Sequence, residues 1–324
     1  MRITITGAAG MVGRKLSARI AADGTVAGKP VTQMTLTDIV EPQAPDGAAF
    51  PVTCFASDFA APETAHKLVD TRPDVLFHLA SIVSGEAEAD FDKGYRINLD
   101  GTRALYDAIR AAGISPRLVF TSSIAVFGAP FPDAIPDEFH ATPLTSYGTQ
   151  KLVCEALLSD YTRRGIFDGV AIRLPTICVR PGKPNKAASG FFSGIIREPL
   201  AGQQAILPVP RDVVHTHASP RSAVGFLLHA AALDGEAIGP RRAITMPGVG
   251  VTVQEQIEAL ARIAGNDAVK LIREEHDETI SRIVAGWPTR FYAATPPALG
   301  FAAESSFDEI VRAHIEDELG GLVR

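Results

Sequence analysis

The stretch "RITITGAAGMVGRKL" (residues 2–16) decides the fold, because a short β-branched strand runs directly into a glycine-rich turn and then a helical pattern. Gly7, Gly10 and Gly13 are spaced as GxxGxxG, and Met11 and Leu16 are apolar positions of the helix. Glycines allow a sharp turn and a close approach to a pyrophosphate, which the N–H groups and positive dipole end of a helix bind. Between the first strand and first helix, this spacing predicts a dinucleotide-binding loop that differs from the usual GxGxxG.

The second predicted strand, "VTQMTLTDIV" (31–40), carries an aspartate near its end. At that place in a dinucleotide fold, the carboxylate of Asp38 accepts both adenosine ribose hydroxyls and repels a 2′-phosphate, which favours NAD over NADP. Arg14 and Lys15, just beyond the glycine loop, are the counter-evidence, since cations there could bind a phosphate. Asp58 and Phe59 end the third predicted strand, where the adenine would lie.

Strands alternate with helices over about 180 residues, a pattern typical of parallel sheets with right-handed crossovers. The fold class is therefore predicted as α/β, a Rossmann-type doubly wound parallel sheet. We expect an NAD-binding domain over residues 1–179 and a smaller substrate-binding lobe mainly over 180–324, with a segment near 210–245 returning to the first domain. "GYRINLDGTRALYDAIRAAG" (94–113) is expected as one helix and "GVAIRLPTICV" (169–179) as one strand.

The composition excludes several classes of protein. The chain has 324 residues, 46% of them hydrophobic and 21% charged, with a formal net charge of −6, so nothing favours nucleic acid or an anionic membrane as a partner. The three cysteines are too few and scattered for a disulfide framework or zinc site, which fits a reducing cytoplasm. His215 and His217 form an HxH pair without an evident third ligand, so no metal is expected.

A tyrosine and a lysine stand four residues apart in "TSYGTQKLVCEAL" (145–157), and this spacing places Tyr147 and Lys151 on one helix face. A free tyrosine has a pKa of about 10, but neighbouring positive charge favours its phenolate, which can then accept a proton. Upstream, "TSSIAVFG" (121–128) places Ser122 and Ser123 at the end of a predicted strand, where a hydroxyl can hold a substrate oxygen beside Tyr147. These residues predict a proton-abstracting site.

With these motifs, the first 180 residues resemble the extended short-chain dehydrogenases/reductases, the superfamily of the nucleotide-sugar epimerases. The resemblance implies that Ser123, Tyr147 and Lys151 form the catalytic triad, and that Asn98 in "RINLDGT" supports a water-linked proton path. It also implies NAD as cofactor and a homodimer formed by long helices. The expected cofactor-binding residues are Gly7, Gly10, Met11, Val12, Gly13, Asp38, Asp58, Phe59, Leu79, Ala80, Ser81, Asn98, Ser122, Tyr147, Lys151, Pro175, Thr176 and Ile177.

Two segments, "VSGEAEAD" (83–90) and "RPGKPNKAAS" (180–189), are similar to those of a narrower group within the superfamily, dehydrogenases that oxidise short sugar acids. A sugar acid needs a cation for its carboxylate and several hydrogen-bond donors. The expected substrate-binding residues are Ser84, Ser123, Tyr147, Thr176, Arg180, Asn185 and Lys186. Asn185 is the preferred contact from its loop, and either Arg180 or Lys186 could bind the carboxylate.

Two other functions stay open at this point. A nucleotide-sugar epimerase would use the same Ser-Tyr-Lys residues with a tightly held NAD. A dinucleotide-sensing protein without catalytic activity would share the fold, although such members usually lose the tyrosine or the lysine, and both are present here.

Overall fold

The first strand, β1 (Arg2–Thr6), lies in the middle of a seven-stranded sheet in the computed structural model, which describes residues 1–182 and 188–322. The further strands are β2 (Thr25–Val26), β3 (Lys29–Pro30), β4 (Gln33–Asp38), β5 (Val52–Ala56), β6 (Val75–His78), β7 (Arg117–Ser123), β8 (Ile135–Pro136), β9 (Asp168–Leu174), β10 (Thr176–Ile177), β11 (Ala205–Leu207), β12 (Val214–Ala218), β13 (Ala243–Thr245), β14 (Val249–Thr252), β15 (Ile272–Glu274) and β16 (Phe291–Tyr292).

The strand order across the central sheet is β5–β4–β1–β6–β7–β9–β13, and every neighbouring pair is parallel. The order reverses between β1 and β6, so the loops that follow these two strands diverge and leave a crevice at the carboxyl edge of the sheet. The predicted α/β class with a Rossmann-type doubly wound sheet is confirmed.

Helices cover both faces of this sheet. The helices of the whole described chain, including those that lie away from this sheet, are α1 (Met11–Asp23), α2 (Pro62–Asp70), α3 (Ser84–Ala89), α4 (Phe91–Gly94), α5 (Gly101–Ala112), α6 (Ser146–Arg163), α7 (Gly190–Leu200), α8 (Pro220–Ala232), α9 (Gly235–Ile238), α10 (Val253–Ala264), α11 (Asn266–Val269), α12 (Glu278–Ala285), α13 (Thr295–Ala298) and α14 (Phe307–Leu319), with a π-helical turn at Tyr95–Asp100 and a 3₁₀ turn at Ile124–Val126.

Alternate side chains of each strand enter different cores, as the two-residue period of a strand requires. On β7, Val119 joins the cluster under α1 and α8, whereas Leu118 and Phe120 join the cluster under α2, α5 and α6. A third apolar cluster lies among residues after Cys178, where α7, α10 and α14 pack together around side chains such as Phe192 and Leu260. The small β10–β12–β14 sheet is formed by strands that follow β9, whereas β13 pairs with β9 in the central sheet.

Two elements differ from the sequence-based expectation. The strand expected over 169–179 ends at Leu174, because Pro175 has no N–H to donate, and Thr176–Ile177 then pairs with β12 in the small sheet. The helix expected over 94–113 contains the π-helical turn, at which the carbonyl of Asn98 accepts hydrogen bonds from the Thr102 hydroxyl (2.7 Å) and the Cys154 thiol (3.3 Å).

Among the helices that the structure describes, none is both long enough and apolar enough to span a membrane.

We expect Gly13→Ala to destabilise the fold by about 1–3 kcal/mol, because overpacking of this size forces backbone shifts. The new Cβ would lie 2.3 Å from the carbonyl oxygen of Gly7 and 2.7 Å from the Cα of Ala8. Urea unfolding followed by circular dichroism measures the effect as a lower midpoint.

Gly225→Ala is the matched control, because Gly225 lies inside α8 and nothing is within 4 Å of its added Cβ. Alanine is the better helix former, so this variant should gain up to about 1 kcal/mol. A Gly13→Ala midpoint equal to that of the wild type would contradict the close packing of the loop.

Candidate active site

The glycine loop begins the crevice at the carboxyl edge of the sheet. Gly7 follows β1 with a φ of +73°, and a Cβ there would lie 2.7 Å from the backbone nitrogen of Ala80, in the loop after β6. Helix α1 starts at Met11, and its N-cap residue Gly10 provides no side-chain hydrogen bond. The first N–H groups of α1, from Met11, Val12 and Gly13, therefore face the crevice side of the loop without an intrahelical acceptor. This arrangement fits a pyrophosphate group.

Asp38 is the last residue of β4, and its side chain is hydrogen-bonded to the glycine loop. Its Oδ2 accepts from the N–H of Ala9 (3.0 Å) and its Oδ1 from the N–H of Ile39 (2.7 Å). A carboxylate held in this way keeps lone pairs for ribose hydroxyls, so the residue fits the adenosine end of NAD. Arg14, a candidate phosphate ligand, instead donates to the carbonyl of Ala9.

Asp58 and Phe59 are placed differently from each other. The Asp58 carboxylate accepts from the Arg96 guanidinium (2.9 Å) and from the N–H of Ala60 (3.0 Å) at the crevice side of β5. The Phe59 ring packs against Gly101 and lies 4.6 Å from the His78 ring, centroid to centroid. Phe59 thus packs against the end of β6, next to the loop that contains Leu79, Ala80 and Ser81.

Tyr147 and Lys151 lie in the first two turns of α6, whose N-terminus is capped by Thr145. The ammonium of Lys151 is 5.5 Å from the centre of the Tyr147 ring and donates to the carbonyl of Thr121 at 2.9 Å. Burial raises the pKa of Tyr147 to about 12, while the hydroxyls of Ser81 and Ser123 act in the opposite direction. Burial also lowers the pKa of Lys151 to about 8, and the negative charge of Glu155 opposes this effect.

The two serines at the end of β7 face different ways. The Ser123 hydroxyl accepts from the N–H of Ala125 (3.1 Å), which leaves its own hydrogen for Tyr147 or a bound oxygen. The Ser122 hydroxyl is buried and donates to Glu155 at 2.5 Å. Adjacent strand residues point to opposite sides, so the structure brings Ser123 to Tyr147 but turns the Ser122 side chain away from it.

The amide of Asn98 is fully engaged. Its Oδ1 accepts from the N–H of Ile82 (2.9 Å) and the hydroxyl of Ser81 (3.0 Å), and its Nδ2 donates to Gln150 (2.8 Å). With the carbonyl of Asn98 also taken by Thr102 and Cys154, this residue fixes the loop after β6 and the start of α6 rather than presenting a free amide.

Among the described residues, the predicted substrate residues Ser84, Thr176 and Arg180 lie in or beside the segments that follow β6 and β9. Ser84 begins α3. The Thr176 hydroxyl, between the half-buried Ile177 and the buried Pro175, is 2.6 Å from Nε2 of His215. Asn185 and Lys186 lie outside the described residues. Within residues 1–182 and 188–322, no group of three histidine, cysteine, aspartate or glutamate side chains is arranged to hold a metal ion.

Arg180 is half-buried and held at a defined position. Its Nη2 donates to the carbonyl (2.9 Å) and hydroxyl (2.8 Å) of Ser189, and its backbone carbonyl accepts from Arg197 at 2.6 Å. Burial lowers the pKa of the guanidinium, which remains a cation at neutral pH.

Sequence reasoning missed several residues that support α6, the helix of Tyr147 and Lys151. Glu155 is buried and forms a bidentate pair with Arg173 of β9, with distances of 2.7–3.2 Å, and Gln150 is fully buried beside Asn98. Glu155 lies one helical turn beyond Lys151 on the same face, a spacing that could have identified it. No comparable signal in the sequence connects His215 to Thr176.

The chain matches the model of the NAD dependent epimerase/dehydratase family over residues 3–217. It is 46% identical over 321 residues to D-erythronate dehydrogenase of Cupriavidus necator, covering 98% of each chain, and 39% identical over 319 residues to D-erythronate dehydrogenase of Haemophilus influenzae, covering 98% of this chain and all of the relative. A crystal structure described as a nucleoside-diphosphate-sugar epimerase from Agrobacterium tumefaciens superposes with a TM-score of 0.98 at 65% identity, over 100% of this chain and 96% of the other.

These matches confirm the resemblance expected from the sequence, and the residues of the crevice fit the NAD that gives the family its description. The chain therefore belongs to the NAD dependent epimerase/dehydratase family, within the extended short-chain dehydrogenases/reductases, and is an NAD-dependent enzyme.

Proposed function

We propose that the protein oxidises the C2 hydroxyl of a short sugar acid with NAD, most specifically D-erythronate to 2-keto-D-erythronate. The observation that carries the reaction type is the buried Lys151 ammonium, which lies 5.5 Å from the centre of the Tyr147 ring. The assignment of the substrate is supported by the two full-length relatives named D-erythronate dehydrogenase and by the cationic Arg180 after β10.

In this mechanism the Tyr147 phenolate takes the proton of the C2 hydroxyl, and Ser123 donates its free hydrogen to the same oxygen. Lys151 stabilises the phenolate by its charge and, with one N–H fixed on the Thr121 carbonyl, has two more to offer the ribose hydroxyls. NAD, when bound, accepts the hydride that leaves C2. Met11, Val12 and Gly13 would hold its pyrophosphate and Asp38 its adenosine ribose.

We further propose that Arg180 binds the substrate carboxylate. Its Nη2 is anchored on Ser189, which sets the plane of the guanidinium before a substrate arrives. A planar cation held in this way suits a carboxylate, because the two groups can form parallel hydrogen bonds. Ser84, Thr176, Asn185 and Lys186 are the further residues that we assign to substrate hydroxyls in this proposal.

The domain organisation that we propose follows from these roles, with NAD bound by residues 1–179 together with a segment near 210–245, and the substrate mainly by 180–324. We propose a homodimer that pairs α5 and α6 with their counterparts, supported by the partly exposed Val153 on α6. Three free cysteines support a cytoplasmic location.

A nucleotide-sugar epimerase is the second candidate, favoured by the description of the Agrobacterium tumefaciens structure. One assay distinguishes the two proposals. The formation of NADH is followed at 340 nm with D-erythronate, L-threonate or a UDP-sugar. NADH formation with D-erythronate supports the dehydrogenase. Conversion of the UDP-sugar without net NADH, by a protein that keeps its NAD through purification, supports the epimerase.

Tyr147→Phe should lower kcat for D-erythronate by about 10³-fold or more, because a positioned acid–base residue contributes about 10²–10⁴-fold. Binding of NADH, measured by its fluorescence, should change little. Tyr292→Phe removes the same hydroxyl from a side chain that is 74% exposed, and it should keep full activity. Normal turnover by Tyr147→Phe would show that Tyr147 is not the base.

Asp38→Asn should raise KM for NAD by about tenfold or more and narrow the preference for NAD over NADP, since charge-assisted hydrogen bonds to the ribose are lost. The asparagine oxygen can still accept from the N–H of Ala9, so the contact with the glycine loop is kept and only the N–H of Ile39 loses its acceptor. Asp46→Asn makes the same charge change at an exposed site and should leave both constants unchanged. If the ratio of the KM values for NAD and NADP is unaltered in Asp38→Asn, Asp38 does not bind the adenosine ribose.

Arg180→Met should raise KM for D-erythronate by about tenfold or more with little effect on NADH binding, because it removes the proposed carboxylate partner. Arg180→Lys should show a smaller increase, and Arg164→Met, at an exposed position, should show none. Thermal melting of each variant checks the loss of the Ser189 contacts separately. If KM stays unchanged in a folded Arg180→Met, another cation binds the carboxylate.

A further inference from the structure

His78 is the last residue of β6 and is fully buried in the central sheet, where its strand neighbours are Thr6 of β1 and Phe120 of β7. Its ring lies beside the Phe59 and Phe120 rings, at centroid distances of 4.6 and 5.4 Å. Burial lowers the pKa of His78 to about 3, and the charge of Lys151 acts in the same direction, so the ring is neutral at neutral pH. A neutral imidazole carries one hydrogen, and the hydrogen bonds of its two nitrogens indicate which of them holds it.

The contacts at Nε2 of His78 assign this hydrogen. Nε2 lies 2.9 Å from the hydroxyl oxygen of Thr102, on α5. The Thr102 hydroxyl donates its own hydrogen to the carbonyl of Asn98, at 2.7 Å. Because a hydroxyl has only one hydrogen, the Thr102 oxygen acts as an acceptor toward His78, and the hydrogen of the ring is therefore on Nε2.

Nδ1 of His78 is then an acceptor. It lies 2.8 Å from the hydroxyl oxygen of Thr6, so the Thr6 hydroxyl donates to it. The Thr6 oxygen in turn accepts from the backbone N–H of Ala80, at 3.2 Å. A chain of hydrogen bonds thus runs from Ala80 through Thr6, His78 and Thr102 to the Asn98 carbonyl, and each hydrogen in it has an acceptor. With the ring hydrogen on Nδ1 instead, the Thr6 hydrogen would have no acceptor in this chain.

Both ends of this chain hold the loop that follows β6. Ala80, at the first end, lies against the glycine loop, since a Cβ on Gly7 would be 2.7 Å from the Ala80 nitrogen. Asn98, at the other end, accepts with its Oδ1 from the N–H of Ile82 at 2.9 Å. The loop is thereby fixed on both sides of Ser81, at the border of the crevice that fits NAD.

We propose that His78 is a positioning residue for the cofactor. With its hydrogen on Nε2, the ring accepts the Thr6 hydrogen at Nδ1 and so turns the Thr6 oxygen toward the N–H of Ala80. This keeps the loop after β6 against the glycine loop, in the arrangement that admits NAD. The inference rests on NAD binding in this crevice, as in the proposed function, but not on the identity of the substrate.

The first test determines the tautomer of His78 by NMR, without cofactor or substrate. The protein contains eight histidines, so labelling with ¹⁵N-histidine gives eight sets of ring signals, and His78→Phe identifies the set from His78. We expect the Nε2–H pattern in the wild type and in Thr6→Val. Thr102→Val removes the acceptor at Nε2, so in this variant the hydrogen should move to Nδ1, where the Thr6 oxygen can accept it.

The second test measures the dissociation constant of NADH by its fluorescence. Thr6→Val removes the acceptor of the Ala80 N–H and should raise the Kd about tenfold, as expected when an N–H loses its partner. His78→Phe should raise it by a similar factor, because the Thr6 hydroxyl loses the group that orients it. The double variant should bind no more weakly than either single variant, since both residues act through one hydrogen bond.

His229→Phe is the matched control. His229 lies in the last turn of α8, where its Nε2 is 2.8 Å from the carbonyl of Leu299 and its ring packs on Phe301. This variant loses a hydrogen bond of the same kind away from the crevice, so its Kd for NADH should equal that of the wild type. Thermal melting of each variant identifies any that is not folded.

Three results would each overturn the inference: an Nδ1–H pattern in the wild type, an unchanged Kd in folded Thr6→Val and His78→Phe, or a double variant that binds about a hundredfold more weakly than the wild type. If His78→Phe does not fold, the one set of signals that changes tautomer in Thr102→Val identifies His78, and a failure of any set to change overturns the inference. Absence of turnover with D-erythronate, alongside the expected tautomer and Kd values, would reject the proposed substrate and leave the role of His78 standing.

Discussion

The close approach of three backbone segments at the end of β1 is the constraint on which the rest of the site depends. Gly7 lies against the backbone of Leu79 and Ala80, and Gly13 lies against the carbonyl of Gly7, at distances that leave no room for a Cβ at either glycine. This contact joins the loops after β1 and β6 to the first turn of α1. The cofactor loop, the Ser81 loop and the helix N-terminus are therefore positioned together, and a shift in one displaces the others.

Helix α6, which carries Tyr147 and Lys151, is held in place by buried polar contacts. Gln150 connects it to Asn98, Lys151 to the carbonyl of Thr121, and Glu155 to Ser122 and Arg173. Buried polar groups are costly unless they are paired, so this network favours a single position of α6 relative to β7 and β9. Tyr147 gains its precise place from these residues although none of them needs to touch a substrate.

Much of this could be predicted from the sequence because the signals are local. The glycine spacing, the aspartate at a strand end and the Tyr147/Lys151 pair each lie within a few residues of a recognisable strand or helix. The break at Pro175 was readable in principle, since proline cannot continue a central strand, but the partner that Thr176 gains in β12 is set by the tertiary fold. The Glu155–Arg173 pair and the Thr176–His215 contact join residues 18 and 39 positions apart, and no sequence period connects such positions.

The buried pair of Glu155 and Arg173 also limits how the protein can change over evolutionary time. Loss of either partner alone would leave a charge without compensation among apolar neighbours, which costs about 3–5 kcal/mol, a large fraction of the stability of a typical domain. A lineage can replace the pair only by passing through such an intermediate or by substituting both residues nearly together. The two positions should consequently change together among descendants of this chain, so that substitutions in β9 and in α6 are coupled at this pair.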